Sequence, residues 1–317
     1  MNKKASVLMI SLWILAILVV FALGLGQRAT INLRLAGYQK DKIKAACLAE
    51  AGIKRAIVEL EKDAQKNTYD TLYETWSTGK DDSNNNIFEN IEIVPGEDEK
   101  FSVKVTDEER KININTAPVE LLIALLNSPD IDIQDAAEVA ASIVNWINTS
   151  REPVFKNAPL KTPEELLLAL EYFYEQKESP EKSRDKAYET FSKIKDKVTV
   201  WGEQLNLNTA SDDVLIMLAN SVAQTNEEKN LVAGFVGEIN NLKEKQDILA
   251  LRQTDEIDAI IASKSEYNNL WVNLKPKVST QSQFFSIKSE GKVGNITKKI
   301  TVVYNRGQKS FVYRHEN

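Results

Sequence analysis

The sequence predicts an α+β fold. A long amino-terminal helix, transmembrane in its first half, packs on an antiparallel sheet, and a large all-α domain is inserted between the strands. Two observations predict this architecture. An apolar run near the start passes into an amphipathic helical pattern. Apolar and polar residues alternate, as in strands, both before and after a long helical stretch of the sequence. This arrangement indicates one sheet whose strands come from two separate parts of the chain.

The apolar run extends from Val7 to Gly26, and Ser11 is its only clearly polar residue. Twenty residues of helix are about 30 Å long, which is enough to cross a bilayer. A cleaved secretory signal is the competing interpretation, because Lys3 and Lys4 resemble a basic n-region. The length of the run and the lack of a clear Ala-x-Ala site favour a retained membrane helix at residues 6–26.

The orientation signal is mixed. Lys3 and Lys4 favour a cytoplasmic amino terminus, but Arg28 and Arg34 lie just beyond the apolar run. Because the amino-terminal flank is very short, translocation of the long acidic remainder is the simpler topology.

The helical pattern continues beyond the membrane segment, and no proline interrupts residues 1–94. Charged residues fill the other faces of the helix, while apolar and small residues recur near helical spacing. These are Ile31, Leu35, Ala45, Ala46, Ala49, Ile53, Ala56, Ile57 and Leu60. The pattern predicts a nearly continuous helix over residues 5–61, roughly 85 Å long.

The segment 63–90 is polar and contains STGKDDSNNN at 77–86, which predicts a surface loop. Its acids Asp81 and Asp82 could bind calcium, but a solvated loop is the favoured interpretation.

Strand-like alternation follows at 91–94, 101–105 and 111–114, and it returns at 284–293 and 296–305. A Gly-Asn turn joins the last two segments and predicts a hairpin. Helical patterns fill the stretch between these two groups of strands, to about residue 275.

Composition restricts the functional class. The net charge is −6, and because the first 26 residues add two lysines and no acid, the remainder carries −8. An acidic soluble part argues against a phosphate-rich partner. The single cysteine, Cys47, is interpreted as a small apolar residue on a helix, and the single histidine, His315, as part of a tail. A His/Cys zinc site and a Ser-His or Cys-His nucleophile are therefore nearly excluded, and no residue set indicates an enzyme.

Two stretches of the chain have nearly the same sequence pattern, which we call the repeated phrase. Residues 111–122 are KININTAPVELL, and residues 204–215 are QLNLNTASDDVL. Openings of this kind begin some helix-hairpin-helix modules that bind DNA. Asparagine bonds readily to nearby backbone and threonine is a good helix N-cap, so each segment is predicted to end a strand and cap a helix. The predicted caps are Asn115 or Thr116 in the first copy and Asn208 or Thr209 in the second.

The hairpins that follow lack the features that bind phosphate. A DNA-binding hairpin uses glycines so that backbone N–H groups can approach the phosphate closely. In the first copy Asp130 and Asp132 stand in the glycine positions, and in the second copy the hairpin contains Gln224, Thr225, Glu227 and Glu228. Both modules are interpreted as degenerate scaffold. The acids Asp130, Asp132 and Asp135 are weak calcium candidates, since they lack the EF-hand pattern.

Together these features resemble the type IV pilin-like proteins, and most closely the K-component minor pseudopilins of the type II (general) secretion pathway. The resemblance covers essentially the whole chain. It is carried by the basic leader ending at Ala5, the run SVLMISLWILAIL, the segment CLAEAGIKRAIVEL at 47–60, and both Asn-Thr-Ala segments.

The resemblance implies cleavage by a prepilin peptidase between Ala5 and Ser6, followed by methylation of the new amino terminus. The family usually has Gly before the cut, and this chain has Ala5. Most pilin-like subunits carry Glu at the fifth mature position, where this chain has Ile10. A subunit without that buried carboxylate needs no partner above it, so the resemblance implies a position at the tip of a pseudopilus.

The resemblance also implies a division of the chain. We expect a leader at 1–5, a transmembrane helix at 6–26, a pilin-like helix with the first strands at 27–114, an inserted all-α domain at 115–275, and closing strands with a tail at 276–317.

The implied function is to cap the pseudopilus tip and help initiate its assembly for protein export across the outer membrane. The implied partners are the I and J components, the major pseudopilin, the inner-membrane assembly platform and secreted proteins, without nucleic acid. The implied location is the bacterial inner membrane, crossed once, with the soluble part in the periplasm. No cofactor is expected beyond the weak calcium candidates. The alternative is a membrane-anchored DNA receptor with helix-hairpin-helix modules.

Overall fold

The computed structural model describes residues 3–317 except 94, 97, 130, 132 and 149–155, and among the first ten residues it describes the side chain of Met9 alone. Helix α1 runs without a break over Lys3–Lys66. Its 64 residues correspond to about 96 Å of helix. The helix predicted over 5–61 is therefore present and continues five residues further.

Shorter elements make up the rest of the described chain. The helices are α2 (Thr75–Thr78), α3 (Val119–Leu126), α4 (Ala136–Ile147), α5 (Leu166–Glu175), α6 (Pro180–Ile194), α7 (Asp212–Val222), α8 (Asn226–Glu244), α9 (Asp258–Ser263) and α10 (Asn268–Leu274). The strands are β1 (Ile91–Glu92), β2 (Glu99–Asp107), β3 (Ile112–Asn113), β4 (Val198–Thr199), β5 (Leu205–Asn206), β6 (Val278–Ser279), β7 (Phe284–Val293), β8 (Ile296–Asn305) and β9 (Ser310–Glu316).

A five-stranded antiparallel sheet packs against the second half of α1. Its strand order is β1-β2-β7-β8-β9, so strands from both ends of the sequence lie side by side. The apolar residues of the inner face alternate along the central strands and are buried against α1: Phe101, Val103 and Val105 on β2, Phe285 and Ile287 on β7, and Ile300 and Val302 on β8. The opposing stripe of the helix is Ala45, Ala49, Ile53, Ala56 and Leu60, each 0% exposed.

Two glycines set how closely α1 approaches the sheet. A Cβ on Gly291 of β7 would overlap the backbone of Ala45 and Ala49, and a Cβ on Gly52 would overlap Ser289. The helix backbone therefore lies almost directly on β7. This contact requires glycine at both positions.

The predicted surface loop at 63–90 is wrong in part. The segment contains the short helix α2, and Trp76 and Phe88 are buried in the core between α1 and the sheet. Trp76 packs edge-on against Phe285, with ring centroids 5.1 Å apart. The sequence does not reveal this role, because polar turn-forming residues dominate the segment and only two of its 28 residues, Trp76 and Phe88, are buried members of this core. Asp81 is half-buried and accepts N–H bonds from Ser83 and Asn85, as in an ordinary turn.

The chain between β2 and β7 forms a second domain with its own hydrophobic core. Its helices are α3 to α10, but it also contains two short parallel strand pairs, β3–β4 and β5–β6. Ile112 and Val278 belong to this core. The segment 111–114, predicted as a strand of the main sheet, instead pairs with Val198 and Thr199. The helical domain thus begins a few residues before the predicted boundary and ends a few residues after it.

The predicted hairpin at 284–305 is present, with Gly294 at a positive φ of 54° in the turn. The chain then adds β9, which was not predicted and which pairs with β8. His315 therefore lies in an edge strand and not in a tail. Cys47 lies on α1, as expected, and is exposed.

Candidate functional site

The first candidate site is the amino-terminal half of α1. Every large apolar side chain described between Met9 and Leu25 is at least 50% exposed, with Trp13 at 67% and Phe21 at 65%. This is the one helix among the described residues that is long and apolar enough to cross a membrane. Apolar surface of this extent is unfavourable in water and needs a bilayer or another protein to cover it.

The residues assigned to processing and to the tip position fall within α1. Ala5, Ser6 and Ile10 belong to the helix, but their side chains lie outside the described part of the structure. Cleavage between Ala5 and Ser6, and the role of Ile10, stay predictions.

The second candidate site is the junction between the sheet and the helical domain, where the Asn-Thr-Ala segments lie. Asn115 clasps the backbone of Leu160: its Oδ1 accepts the Leu160 N–H at 2.7 Å and its Nδ2 donates to the Leu160 carbonyl at 2.9 Å. Asn208 makes the same two bonds to Leu251, both at 2.8 Å. The repeated phrase therefore begins two similar units. In each unit one asparagine side chain binds the backbone of a residue further along the chain, 45 residues away for Asn115 and 43 for Asn208.

The predicted helix caps are wrong. Helix α3 starts after Pro118 and α7 starts after Ser211, so the N-cap lies two residues beyond each threonine. None of the four predicted residues holds that position: Asn115, Thr116, Asn208 and Thr209. The reason is that the asparagine amides bond to distant backbone. The preceding asparagine, Asn113 or Asn206, accepts the N–H two residues ahead and holds a turn before the helix.

The two threonines have different surroundings. Thr116 is exposed. Thr209 is 1% exposed, and its hydroxyl donates to Asp107 Oδ2 at 2.5 Å. Only the second copy of the phrase therefore reaches the end of the main sheet, because β2 ends at Asp107.

Arg306 is the central cation of this junction. It follows β8, is 5% exposed, and donates from Nη1 and Nη2 to the two carboxylate oxygens of Asp70 at 2.8 and 2.7 Å. Asp70 follows α1 and is fully buried. Its Oδ2 also accepts the Ser282 N–H at 2.7 Å. The pair joins the segments that follow α1 and β8 to the chain entering β7.

Two more buried acids lie beside this pair. Asp107 Oδ2 accepts from Ser282 Oγ at 2.7 Å and from Asn206 Nδ2 at 3.3 Å. Burial raises the pKa of Asp107 to about 6, although the hydroxyls of Thr209 and Ser282 oppose this shift. Burial also raises the pKa of Glu109 to about 8, against the N–H bond from Gln283.

Sequence reasoning missed Asp70, Asp107 and Arg306. They are separated by up to 236 residues and have no shared spacing. The sequence offers only a weak signal for Arg306. It directly follows an alternating apolar strand, a position where a charged residue can still be buried beside the sheet.

One cluster of three acidic side chains has the spacing of a metal site, and none of its members is among the predicted calcium candidates. Asp63, Asp70 and Glu74 place carboxylate oxygens within 4.8 Å of one another. Burial, reinforced by the Glu74 charge, raises the pKa of Asp63 to about 7. This group already has a cation, because Arg306 binds Asp70 and lies 3.8 Å from Asp63.

Of the predicted calcium candidates, Asp130 and Asp132 lie outside the described residues. Asp135 is exposed and shares the Lys177 ammonium with Glu138, at 3.0 and 2.6 Å.

The second hairpin, between α7 and α8, is occupied by a carboxylate of the chain itself. Glu228 Oε2 accepts the N–H groups of Gln224 at 2.6 Å and of Thr225 at 3.3 Å. Thr225 Oγ1 accepts the Glu228 N–H, which completes a capping box. Gln224 and Thr225 lie in the predicted hairpin, and a DNA-binding hairpin would offer backbone N–H groups of this kind to phosphate. The N–H bonds lower the pKa of Glu228, so the carboxylate stays ionised and would repel an incoming phosphate.

No family model matches the chain, and no curated protein sequence matches it significantly. Among the similar solved structures is one chain of the crystal structure of the GspK-GspI-GspJ complex from the Type 2 Secretion System of enterotoxigenic Escherichia coli. The two chains are 16% identical, and the similarity covers 90% of this chain and 99% of the other with a TM-score of 0.62. The chain therefore shares the fold of that protein, and the α+β class predicted from the sequence is confirmed.

Proposed function

We propose that the chain is a minor pseudopilin of the K type. In this proposal it caps the tip of a type II secretion pseudopilus and helps to initiate assembly for protein export across the outer membrane. It acts without enzymatic chemistry. Before assembly it is anchored in the bacterial inner membrane by α1, with its sheet and helical domain in the periplasm.

One observation carries the proposal. The similar chain comes from a complex of three components of a Type 2 Secretion System. Because the similarity covers 90% of this chain, it extends over most of the sheet and of the inserted helical domain. The exposed apolar half of α1 supports the proposal independently, because a pseudopilin needs such a helix to be stored in the membrane and to pack in a filament.

The tip position is proposed on two grounds. Ile10 replaces the carboxylate that would require a subunit above. The helical domain adjoins the segment that follows the other end of α1, where Asn206 donates to the carbonyl of Asp70. The proposed partners are the I and J components, then the major pseudopilin and the inner-membrane assembly platform. Secreted proteins are proposed to contact the helical domain.

Mass spectrometry tests the pilin-like processing. Protein from cells that contain the cognate prepilin peptidase should begin at a methylated Ser6. A variant with Ala5→Phe should remain uncut, because a bulky residue would not fit a pocket that accepts Gly or Ala. An intact Met1 in the unsubstituted protein, or a cut beyond residue 22, contradicts this assignment.

Recovery of a complex tests the partners and the tip role. The tagged full-length chain should copurify with both the I and the J component of its own system when the three are expressed together. Cells that lack the chain should secrete less and initiate fewer pseudopili. Normal secretion and assembly in such cells would argue against the tip role.

The rival function, a DNA receptor, gains no support from the hairpin described above. Salt-sensitive binding of the full-length chain to duplex DNA would revive it.

A further inference from the structure

A basic cleft of about 320 Å³ lies between the helical domain and the outer face of the sheet, the face directed away from α1. Strands β2 and β7 form one wall, and the segments that precede β3 and β4, with the start of α7, form the other. Five basic residues line it: Lys104, Arg110, Lys111, Lys197 and Lys288. Such a concentration of cations, in a chain whose net charge is −6, indicates a site for an anion.

Two cross-strand pairs lie side by side on the sheet wall of the cleft. Lys104 on β2 is directly opposite Lys288 on β7, and the next pair on the same face is Thr106 opposite Ser286. Both lysines are exposed, and neither makes an ion pair within the part of the chain that the structure describes. Like charges directly opposite each other destabilise a sheet. An anion between the two ammonium groups would remove this repulsion.

The hydroxyl pair also lacks partners. Ser286 is 6% exposed and Thr106 is half-buried. Neither hydroxyl makes a hydrogen bond with any other described residue. A buried hydroxyl without a partner is unfavourable, and both of these side chains line the cleft. They can therefore donate to an oxygen of a molecule that enters it.

Arg110 supplies a third cation. It is half-buried in the segment between β2 and β3 and makes no ion pair among the described residues. The two remaining basic side chains of the cleft already bind acids of the chain: Lys111 with Glu108, and Lys197 with Asp213. The lining contributes one further acid, the exposed Asp196. The cleft thus keeps an excess of positive charge after its internal pairs are formed.

These donors match a phosphate group better than a carboxylate. Two ammonium groups, one guanidinium and two hydroxyls line the cleft, and all of them can donate hydrogen bonds. A carboxylate has two oxygens and one charge, whereas a phosphomonoester has three free oxygens and nearly two charges at neutral pH. A volume of about 320 Å³ is that of a small-molecule site, so there is room for an organic part beside the phosphate.

The membrane predicted around the apolar half of α1 cannot supply this phosphate. Lys44, which pairs with Glu99 at the start of β2, is about 27 Å along the helix from Gly26. From there β2 runs away from the membrane segment, because its last residue, Asp107, binds Ser282 at the junction beyond the other end of α1. Headgroups extend only about 5–8 Å beyond the hydrocarbon core. The ligand is therefore a soluble molecule.

We propose that this cleft binds a small soluble phosphomonoester. The phosphate lies between Lys104 and Lys288 and accepts hydrogen bonds from Thr106, Ser286 and Arg110. Because Arg110 belongs to the segment that enters the helical domain, the ligand connects this domain to the sheet and stabilises the junction by mass action. The inference uses no partner subunit and does not depend on the proposed function.

Isothermal titration calorimetry of the full-length chain in detergent, at constant ionic strength, tests the proposal with glucose 6-phosphate as the probe. We expect a Kd of about 1 mM or tighter, and no binding of glucose. Lys288→Gln and Arg110→Gln should each weaken binding about tenfold. Ser286→Ala, which leaves the net charge unchanged, should weaken it about threefold.

Lys292→Gln is the matched control. Lys292 lies on the same face of β7, opposite Lys100 on β2, so it repeats the lysine pair on the same two strands but does not line the cleft. Its loss removes the same charge as Lys288→Gln and should leave the Kd for glucose 6-phosphate unchanged. Equal weakening by Lys292→Gln and Lys288→Gln would show only a general attraction of charge and would overturn the inference.

Three other results would also overturn it. The first is a Kd above about 1 mM for the unsubstituted chain. The second is tighter binding of a tetraglutamate peptide than of glucose 6-phosphate, which would assign the cleft to an acidic protein segment. The third is much tighter binding of inorganic phosphate, which would exclude an organic ligand. Thermal unfolding without ligand should be the same for all variants. With glucose 6-phosphate, the unfolding temperature should rise more for the unsubstituted chain than for Lys288→Gln.

Discussion

Asp70 and Arg306 are 236 residues apart in the sequence and form a two-bond ion pair with almost no contact with water. Asp70 follows helix α1 and Arg306 follows strand β8, so the pair connects the two halves of the sheet domain. Ser282 binds both residues at the point where the chain leaves the helical domain. The junction therefore depends on one cation, Arg306, which binds Asp70 and lies close to Asp63.

Replacing Arg306 should destabilise the protein strongly. Arg306→Met leaves the Asp70 carboxylate buried without its cation, and we expect a loss of about 3–5 kcal/mol in the free energy of unfolding. The measurement is urea denaturation of the full-length chain in detergent, followed by tryptophan fluorescence. Adding Asp70→Leu should recover much of the loss, because no uncompensated charge then remains. The control is Lys309→Met, whose exposed pair with Glu61 should matter by less than about 0.5 kcal/mol. Equal effects of Arg306→Met and Lys309→Met would contradict this account.

Stability should decrease as the pH rises from about 5 to 8. Carboxyl groups have pKa values near 4 in an unfolded chain. In the folded chain the pKa is about 6 for Asp107, about 7 for Asp63 and about 8 for Glu109. The folded state thus holds these protons more tightly, so raising the pH through this range favours the unfolded state.

Denaturation curves at several pH values measure this slope. Glu109→Gln removes one of the groups and should make the decline shallower, whereas the exposed Glu203→Gln should leave it unchanged. An unaltered slope in Glu109→Gln would show that this carboxyl does not contribute.

Gly291→Ala should prevent α1 from packing on the sheet. The new Cβ would overlap the backbone of Ala45 and Ala49, which cannot move aside as a flexible side chain can. We expect a loss of about 3 kcal/mol or failure to fold. Gly237→Ala is the control, since it lies within helix α8 with open space at its Cβ and should stabilise by about 0.5–1 kcal/mol. Thermal unfolding of both variants distinguishes a specific clash from a general intolerance of alanine.

The two threonines of the repeated phrase should respond differently to alanine. Thr209→Ala removes a buried hydroxyl that donates to Asp107, and we expect a loss of about 1–2 kcal/mol. Thr116→Ala changes an exposed side chain and should alter stability by less than about 0.5 kcal/mol. Similar losses in the two variants would mean that both threonines act as local helix starters, as the sequence first indicated.

Periodicity along the sequence was enough to predict the elements that depend on local pattern. Helix α1, the apolar run within it, the hairpin of β7 and β8, and a helical stretch between two groups of strands all follow from spacing of three to four or of two residues. The equivalence of KININTAPVELL and QLNLNTASDDVL was also visible, because both copies keep the same order of asparagine, threonine and apolar residues.

Tertiary structure alone decided what those residues do. Asn115 and Asn208 were predicted as caps from their local propensity, but their amides bind backbone about 44 residues away. Thr209 is buried and Thr116 is exposed although their neighbours in sequence match, because only the second copy lies against the end of β2. The ion pair of Asp70 and Arg306 forms from segments that no local spacing connects. The periodicity of a sequence indicates which face of a helix or strand is apolar. The hydrogen-bond and ion-pair partners of a side chain from distant segments depend instead on how the helices and strands pack.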